Sequence, residues 1–444
     1  MWRGALAIPG GPRMSGSAVF HRDFGADYPL IVSAQGSYLY AEDGTEYLDG
    51  SSGAVAANLG HGVTEIADAM REQALRVGFA HTLRFETAAL HDAAARIQSL
   101  APEGFTRVFF ASGGSEANES AFKLARQYHL SRGESSRHLV VGMWDNYHGN
   151  TLGALAVGGD ASRRQHYAPM LPRTLRLPSW RDSADAMAPV AALEKLVRSE
   201  GAENISALIL EPLVGSQLGA FEPEHEALRK IAKICRTHGI VLIADEVMTG
   251  FGRCGTNFAV ERSGIVPDLI TFGKGVTGGY APLSGVIVSD PIVQAVRDSG
   301  GVFHHGYTYS GHPVAVAAAA AALRFYAERD VLENVALRGA ELRSGLESLA
   351  ARYPSAITDV RGAGLLLALE LSPALTARGG ANALNRAAMA RGLVLYPGAS
   401  TRADSRGNAT VVPHLLVAPP LTATPAEIAE LLSRLDGALR AHTD

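Results

Sequence analysis

The middle of the chain alternates short, almost wholly apolar runs with longer segments whose apolar residues recur at helical spacing. Runs this apolar predict strands that are covered on both faces, as in a mostly parallel sheet flanked by helices. The pattern therefore predicts an α/β fold with a ligand crevice beyond the carboxyl ends of the strands. The apolar runs lie at 107–111, 138–143, 205–210, 239–244, 269–272 and 285–289.

The two ends of the chain have a different pattern. Residues 37–48 surround Asp43-Gly44 with strand-forming residues, which predicts a hairpin, and helical periodicity follows at 63–77 and 86–100. From about residue 331 the pattern changes to a long helix, a few strands and a terminal helix, which predicts a smaller α+β unit. We predict a disordered lead-in at 1–19, a large domain at 76–328, and a small domain formed by both chain ends, 20–75 and 329–444.

The composition of the chain argues against some classes of function and partner. The chain has 444 residues, 47% hydrophobic and 19% charged, with a net charge of −4, which argues against nucleic acid or an anionic membrane as the main partner. Cys235 and Cys254 form no disulfide framework and no metal-ligand spacing, as expected in a reducing compartment. The N-terminal apolar segment is too short for a convincing signal peptide, and either Met1 or Met14 could be the start. We predict a cytoplasmic protein that acts on small molecules.

Lys274 lies in a glycine-rich segment that follows an apolar strand. A lysine at the end of a buried strand is costly unless it is paired or covalently used, and burial lowers the proton affinity of its amine. A less basic amine is what a Schiff-base nucleophile needs. On this segment alone, a surface lysine in a glycine-rich turn fits equally well.

Residues Ser112-Gly-Gly-Ser115 stand between a strand and a helix. Free N–H groups and the helix dipole at such a turn favour a phosphate, and glycines let it approach the backbone closely. A glycine turn with Ser115 as a helix cap is an equally good interpretation of these residues alone. The sequence matches neither a Walker motif nor a dinucleotide-binding fingerprint.

Carboxylates and an aromatic residue end three further segments. Asp245 and Glu211 follow apolar strands, where an unpaired charge is costly, and Asp245 could hold a cofactor ring nitrogen protonated. Tyr147 offers a ring face for stacking, although packing is the more common role of such a residue. For a carboxylate in this position, capping a helix or forming a salt bridge is the more common role. His304-His305 has no third ligand at useful spacing, so we predict no metal site.

Together these residues supply a phosphate cradle, a stacking aromatic, an acid and a lysine, which is the set that pyridoxal phosphate requires. The chain resembles the class III (ω-type) aminotransferases, which are fold-type I pyridoxal-phosphate enzymes, from about residue 23 to 435. The fold implied is a large domain with a mostly parallel central sheet and a smaller α+β domain from both termini. The matching stretches are Ser112-Gly-Gly-Ser-Glu-Ala-Asn-Glu, Tyr147-His-Gly, Glu211-Pro, Ala244-Asp-Glu-Val-Met-Thr-Gly-Phe-Gly-Arg, Thr271-Phe-Gly-Lys-Gly and Gly306-Tyr-Thr-Tyr-Ser-Gly-His-Pro.

The resemblance implies a role for each matching residue. Lys274 would form the Schiff base with pyridoxal 5′-phosphate and then move a proton, and Asp245 would keep the pyridine nitrogen protonated. Val247 and Tyr147 would pack against opposite ring faces, and Thr308 would reach the phosphate from the second subunit of a homodimer. The catalytic residues implied are Lys274, Asp245 and Glu211, and the cofactor-binding residues are Ser112, Gly113, Gly114, Ser115, Tyr147, His148, Glu211, Asp245, Val247, Met248, Lys274, Tyr307 and Thr308.

The sequence also departs from the family pattern. Met248 stands where many members carry a glutamine that contacts the 3-hydroxyl of the cofactor, and Cys254 replaces a threonine. Arg84, Arg402 and Arg406 are candidates for binding a substrate carboxylate, but none has a secure alignment.

The resemblance implies an aminotransferase that moves an amino group from an amine or amino acid to a keto acid or aldehyde by a ping-pong mechanism. A racemase or epimerase, an aminomutase or an elimination enzyme on the same scaffold would use the same residues. A ligand-binding homologue without turnover is a further alternative, although the presence of Lys274 argues against it.

Overall fold

A computed structural model describes residues 18–26, 28–181, 185–403 and 409–443 of the protein. Residues 1–17, which make up most of the predicted lead-in, lie outside the described part of the chain. The strands are β1 (Ile31–Gln35), β2 (Tyr38–Ala41), β3 (Glu46–Asp49), β4 (Phe105–Ala111), β5 (Leu139–Met143), β6 (Leu175–Leu177), β7 (Ile205–Leu210), β8 (Val241–Asp245), β9 (Leu269–Phe272), β10 (Ser284–Ser289), β11 (Ile357–Ala363), β12 (Leu366–Leu371), β13 (Leu393–Val394), β14 (Tyr396–Ala403) and β15 (Ala409–Val417).

The described chain also contains fourteen α-helices. They are α1 (Ser52–Val55), α2 (Thr64–Arg76), α3 (Ala88–Leu100), α4 (Gly114–Ser131), α5 (Leu152–Val157), α6 (Ala161–Gln165), α7 (Ala188–Glu200), α8 (His225–His238), α9 (Val260–Ser263), α10 (Asp290–Asp298), α11 (Pro313–Glu328), α12 (Val331–Arg352), α13 (Gly380–Met389) and α14 (Pro425–Thr443). None of the described helices is both long enough and apolar enough to cross a membrane.

A seven-stranded sheet forms the centre of the molecule, in the order β4-β10-β9-β8-β7-β5-β6. Six of its strands run parallel, and β10 is antiparallel to both of its neighbours. Every residue of β7, β8 and β9 is buried, which explains why these strands are apolar throughout. The predicted fold class, with a mostly parallel central sheet, is therefore confirmed.

Helices pack on the central sheet through small side chains. The buried residues of α4 include Ala117, Ala121 and Ala125, and those of α11 include the alanines from Ala315 to Ala322. Because alanine projects little beyond the backbone, α11 packs against both α2 and α3. The alanine-rich segment is thus a buried helix.

Two smaller sheets involve the chain ends. One has the order β1-β2-β3-β13, in which β13 pairs in parallel with β3 through Leu393 and Leu48, and the other has the order β11-β12-β15-β14. The hairpin of β2 and β3 is the one predicted around Asp43-Gly44. The sequence pattern predicted only two short strands before the terminal helix, whereas β14 and β15 form a long hairpin. Pro413 and the polar residues of that hairpin interrupt the alternation that would have revealed its length.

Arg253 joins the smaller sheets to the central one. Its side chain is fully buried and donates from Nη1 to the carbonyls of Leu365 (3.0 Å) and Pro419 (2.6 Å), and from Nη2 to Asn58 Oδ1 (2.7 Å). Burial lowers the pKa of Arg253 to about 10. The guanidinium is thus held by oxygens of the N-terminal and C-terminal segments together.

Candidate active site

A cavity of about 450 Å³ opens at the carboxyl ends of the central strands. The strand ends bring together residues from five separate segments, because parallel strands end at the same edge of a sheet. The residues that line the cavity include Asn118, Ser216 and residues 279–283. They also include eleven residues that the sequence analysis predicted for the site: Ser112, Gly113, Gly114, Ser115, Tyr147, His148, Glu211, Asp245, Val247, Met248 and Lys274.

Lys274 lies two residues beyond β9, in a short 3₁₀ helix (Lys274–Thr277). Its φ of +42° lies in the left-handed region, a conformation that costs a non-glycine residue about 1–3 kcal/mol. Burial lowers the pKa of the Lys274 amine below its ordinary value, although the carboxylates of Asp245 and Glu211 act in the opposite direction. The Lys274 amine is therefore less basic than that of a free lysine, which is the direction that a Schiff-base nucleophile needs.

Asp245 ends β8 and is 5% exposed. Its Oδ2 accepts from Asn118 Nδ2 at 2.8 Å and lies 2.8 Å from Nδ1 of His148, and its Oδ1 accepts from the Val247 N–H at 3.1 Å. The amide of Asn118 also donates to the His148 carbonyl at 2.7 Å. These contacts fix the orientation of the carboxylate.

Glu211 follows β7 and is also buried. Its two oxygens accept from the backbone N–H groups of Tyr147 (2.8 Å) and Gly215 (2.9 Å). Burial raises the pKa of Glu211 to about 7; the nearby Asp245 adds to this rise, while His148 and the two N–H donors oppose it. Glu211 can therefore gain or lose a proton near neutral pH.

The turn between β4 and α4 forms one end of the cavity. Gly113 is extended (φ −138°) and α4 begins at Gly114, where an added Cβ would lie 2.8 Å from Cγ1 of Val247. Glycine is therefore required for this close approach. The hydroxyl of Ser115 accepts from the Asn150 N–H at 3.1 Å, and the Ser112 N–H already donates to Glu116 Oε2 at 2.9 Å.

Tyr147 is held from its outer side. The guanidinium of Arg163 lies over its ring, 4.9 Å from the ring centre, and is paired with Asp160 at 2.7 Å. The sequence did not indicate this cation–π contact, because Tyr147 lies in a loop and Arg163 belongs to a separate segment, helix α6.

Two of the residues singled out do not line the cavity in the described chain. The Tyr307 hydroxyl donates to the Glu116 carbonyl at 3.2 Å, and the side chain of Thr308 is exposed. Arg84 is also exposed, and Arg406 and the side chain of Arg402 lie outside the described residues.

Sequence reasoning missed the role of Asn118. It is buried on the same face of α4 as Ala121 and Ala125, three and seven residues further along. An amide on an otherwise small and apolar helix face needs a polar partner, and this was the available signal. Ser216 and residues 279–283 carried no comparable signal, since they reach the cavity through loop geometry.

The fold and the site together define a class of protein: an α/β enzyme whose strand ends place a half-buried lysine, a buried carboxylate and a glycine turn around one cavity. The chain belongs to the class-III aminotransferase family, whose model matches residues 24–439. This match confirms the resemblance inferred from the motifs, and members of this family depend on pyridoxal phosphate.

Individual relatives agree with this assignment. The chain is 33% identical over 426 residues to the uncharacterized aminotransferase YodT of Bacillus subtilis (91% of this chain, 94% of the relative). It is 32% identical over 421 residues to a putrescine–pyruvate aminotransferase of Pseudomonas aeruginosa (91% and 89%).

Solved structures are similar across nearly the whole chain. An (S)-enantioselective omega-transaminase from Thermomicrobium roseum superposes with a TM-score of 0.85 at 34% identity, covering 95% of this chain and 94% of the other. The omega transaminase of Pseudomonas jessenii in complex with PMP gives a TM-score of 0.85 at 28% identity (94% and 93%). Amino transfer is the activity that these relatives share.

Proposed function

We propose that the protein moves an amino group from an amine or amino acid to a keto acid or aldehyde in two half-reactions, with pyridoxal 5′-phosphate held by Lys274. The observation that carries this proposal is the placement of Lys274, Asp245 and the turn at Gly114 around a single cavity. The named substrates of one relative, putrescine and pyruvate, make diamines and small keto acids the first compounds to try.

The residues present fit this cofactor. Gly114 leaves room for Val247 where a side chain would collide, and the adjoining N-terminus of α4 favours a phosphate. Asp245 is buried and fixed by Asn118 and His148, as a partner for a protonated ring nitrogen must be. We assign Val247 and Tyr147 to the two ring faces, and Gly113, Gly114 and Ser115 to the phosphate.

When bound, pyridoxal phosphate supplies a carbonyl that condenses with amines and a ring that accepts electrons. Lys274 would hold the cofactor through its amine and, once a donor amine had displaced it, would carry the proton that leaves the donor carbon. Asp245 keeps the ring nitrogen protonated, which requires its charged form. Glu211 lies beside the substrate, where its pKa of about 7 lets it hold or release a proton.

The assembly is part of this proposal. Thr308 is exposed and apart from the cavity of its own chain, so we assign it to the phosphate site of the second subunit in a homodimer. The hydroxyl of Tyr307, the residue before Thr308, donates to the Glu116 carbonyl at 3.2 Å, which holds the 307–308 segment on α4 of its own chain. We further assign 76–328 to the large domain, and 20–75 with 329–444 to the small one.

The test is an absorption spectrum of the purified protein with pyridoxal phosphate, before and after a panel of amines, beside Lys274→Ala. A yellow band that converts to the pyridoxamine form with a donor and returns with a keto acid supports transamination. A band that shifts with amines but never yields pyridoxamine phosphate contradicts it and favours racemase, mutase or elimination chemistry. Wild type that gives no band, or a Lys274→Ala spectrum identical to that of the wild type, contradicts the role of Lys274.

A further inference from the structure

One wall of the cavity is a tight loop at residues 215–220, here the 215–220 loop. Its ends are closed by two hydrogen bonds between Val214 and Phe221, of 2.8 and 2.9 Å, and the Ala220 N–H donates to the Gly215 carbonyl at 2.9 Å. Ser216 of this loop lines the cavity, and the Gly215 N–H donates to Glu211 at 2.9 Å. The position of the loop thus bears directly on Glu211.

The carbonyls of this loop are bound from the C-terminal sheet. Arg361 on β11 donates from Nε to the Gly219 carbonyl (2.8 Å) and from Nη2 to the Leu218 carbonyl (2.6 Å). Glu370 on β12 orients Arg361 through Nη1 at 2.7 Å and is also paired with Arg181. Two successive carbonyls are therefore held by one oriented guanidinium.

His414 on β15 binds a third carbonyl. The imidazole is fully buried, and its Nε2 donates to the Ser216 carbonyl at 2.9 Å. It occupies a slot between two glycines: an added Cβ would lie 2.7 Å from its Cγ at Gly219 and 2.3 Å from its Nε2 at Gly398. Burial lowers the pKa of His414 to about 4, with Arg361 and Arg181 adding to the fall and Glu370 opposing it. The ring is therefore neutral at neutral pH and has one N–H, which it uses on the loop.

The loop also fits closely against the cavity. An added Cβ at Gly215 would lie 2.3 Å from Sδ of Met248 and 3.5 Å from Glu211 Oε2. A small outward movement of the loop would therefore break the Gly215–Glu211 hydrogen bond and open the wall at Ser216.

We propose that His414 and Arg361 are positioning residues of the active site, which hold the 215–220 loop so that Gly215 stays bonded to Glu211 and Ser216 stays on the cavity wall. They touch no substrate and act only through the loop. The effect of these two residues on catalysis rests on the proposed function of Glu211, whereas their effect on the position of the loop does not.

The titration of Glu211 reports on this arrangement. A backbone N–H donor favours the charged carboxylate, so its loss raises the pKa of Glu211 further. The other groups that act on this titration are the Tyr147 N–H, His148, Asp245 and Lys274, none of which the variants below change.

The test compares wild type with Arg361→Lys, His414→Leu and His414→Gln, with Arg352→Gln as the control. Lysine keeps the buried charge beside Glu370 but lacks the planar fork with which Nε and Nη2 each hold one carbonyl. Glutamine keeps an N–H donor where leucine has none. Arg352 forms a surface pair with Asp436, far from the loop in sequence and exposed. Each variant is checked by its melting temperature and its affinity for pyridoxal phosphate.

For Arg361→Lys and His414→Leu we expect the KM of the amine donor to rise about tenfold, the loss typical of a hydrogen bond to a charged or buried partner. The lower pKa of the kcat/KM profile should move upward by about half a unit or more, with little change in cofactor affinity. His414→Gln should recover most of both changes, and Arg352→Gln should behave as wild type.

An activity-independent measurement completes the test. Amide hydrogen exchange in the peptide that contains the 215–220 loop should be faster in Arg361→Lys and His414→Leu than in the control. Exchange, KM and pH profile all equal to wild type would overturn the proposal, as would lower stability without a change in profile. If wild type is inactive with every donor, the proposed function fails, and unchanged exchange would then separately overturn the holding of the loop.

Discussion

His148 Nδ1 and Asn118 Nδ2 both lie 2.8 Å from the same oxygen, Oδ2 of Asp245. A carboxylate oxygen has two lone pairs, so these two donors satisfy Oδ2. Within the described part of the chain, the other oxygen, Oδ1, accepts a hydrogen bond only from the Val247 N–H and retains capacity for one further donor. The protein thereby orients one oxygen of Asp245 for a ligand.

Asp245→Asn should leave the fold intact and remove most of the activity. The amide has nearly the same shape but cannot stabilise a protonated ring nitrogen, so we expect kcat to fall at least about a hundredfold, as when one preorganised electrostatic partner is lost. Steady-state kinetics and the absorption spectrum of the bound cofactor measure this. A loss below tenfold with full cofactor occupancy would contradict the role of Asp245.

Gly114→Ala should weaken cofactor binding. The new Cβ would lie 2.8 Å from Val247 Cγ1 and displace the residue assigned to the ring face. We expect at least about a tenfold rise in the dissociation constant for pyridoxal phosphate, corresponding to about 1.4 kcal/mol. Titration of the cofactor-free protein measures it. Gly78→Ala, outside the cavity, is the comparison, because a Cβ there comes no closer than 4.0 Å to atoms beyond its chain neighbours, and an equal loss in both variants would rule out the steric explanation.

Glu246→Gln should change how stability depends on pH. Glu246 is fully buried, accepts from the Val260 N–H at 2.8 Å, and has its pKa raised by burial to about 7. The folded protein therefore binds this proton more tightly than the unfolded chain, and the contribution of Glu246 to stability falls as pH rises from about 4.5 to 7.

Glutamine does not ionise, so the stability of Glu246→Gln relative to wild type should improve by about 2 kcal/mol between pH 5 and pH 8. Urea denaturation of the cofactor-free protein at several pH values measures the difference. Glu226→Gln, at an exposed position on α8, should show no such trend. A pH-independent difference for Glu246→Gln would show that the buried carboxylate keeps its ordinary pKa.

Thr308→Ala and Lys274→Ala should complement each other. If Thr308 serves the partner's phosphate site, a mixed dimer of the two variants has one site with both Lys274 and Thr308 intact. We expect each homodimer to be impaired and the mixture, after dissociation and reassociation, to regain up to about half of the wild-type activity per mixed dimer. Activity of the mixture equal to the mean of the two homodimers would place Thr308 in its own chain's site.

Much of the fold and site could be predicted from local sequence. The central strands are apolar because both of their faces are buried. Glu211, Asp245 and Lys274 each lie at or just beyond the carboxyl end of one of these parallel strands, so they meet at one edge of the sheet. Asn118 was missed because its partner lies 127 residues away, and Arg163 because its contact is with a ring on another segment. The hydrogen bonds from Arg361 and His414 to the loop carbonyls could not be predicted. Every residue has a backbone carbonyl, so the sequence does not show which of them accepts a hydrogen bond from a side chain.

The parallel pairing of β3 with β13 has a consequence for how the protein is made. Leu48 and Leu393 are partners, so the N-terminal sheet cannot be completed until most of the chain has left the ribosome. At typical synthesis rates of 5–20 residues per second, this delay is on the order of tens of seconds. During that time β1, β2 and β3 lack β13, the last strand of their sheet. Strand β1 also exposes Ile31 and Val32. The nascent chain therefore has an unpaired strand edge. A holding chaperone would bind at this edge, or a second chain would pair with it prematurely.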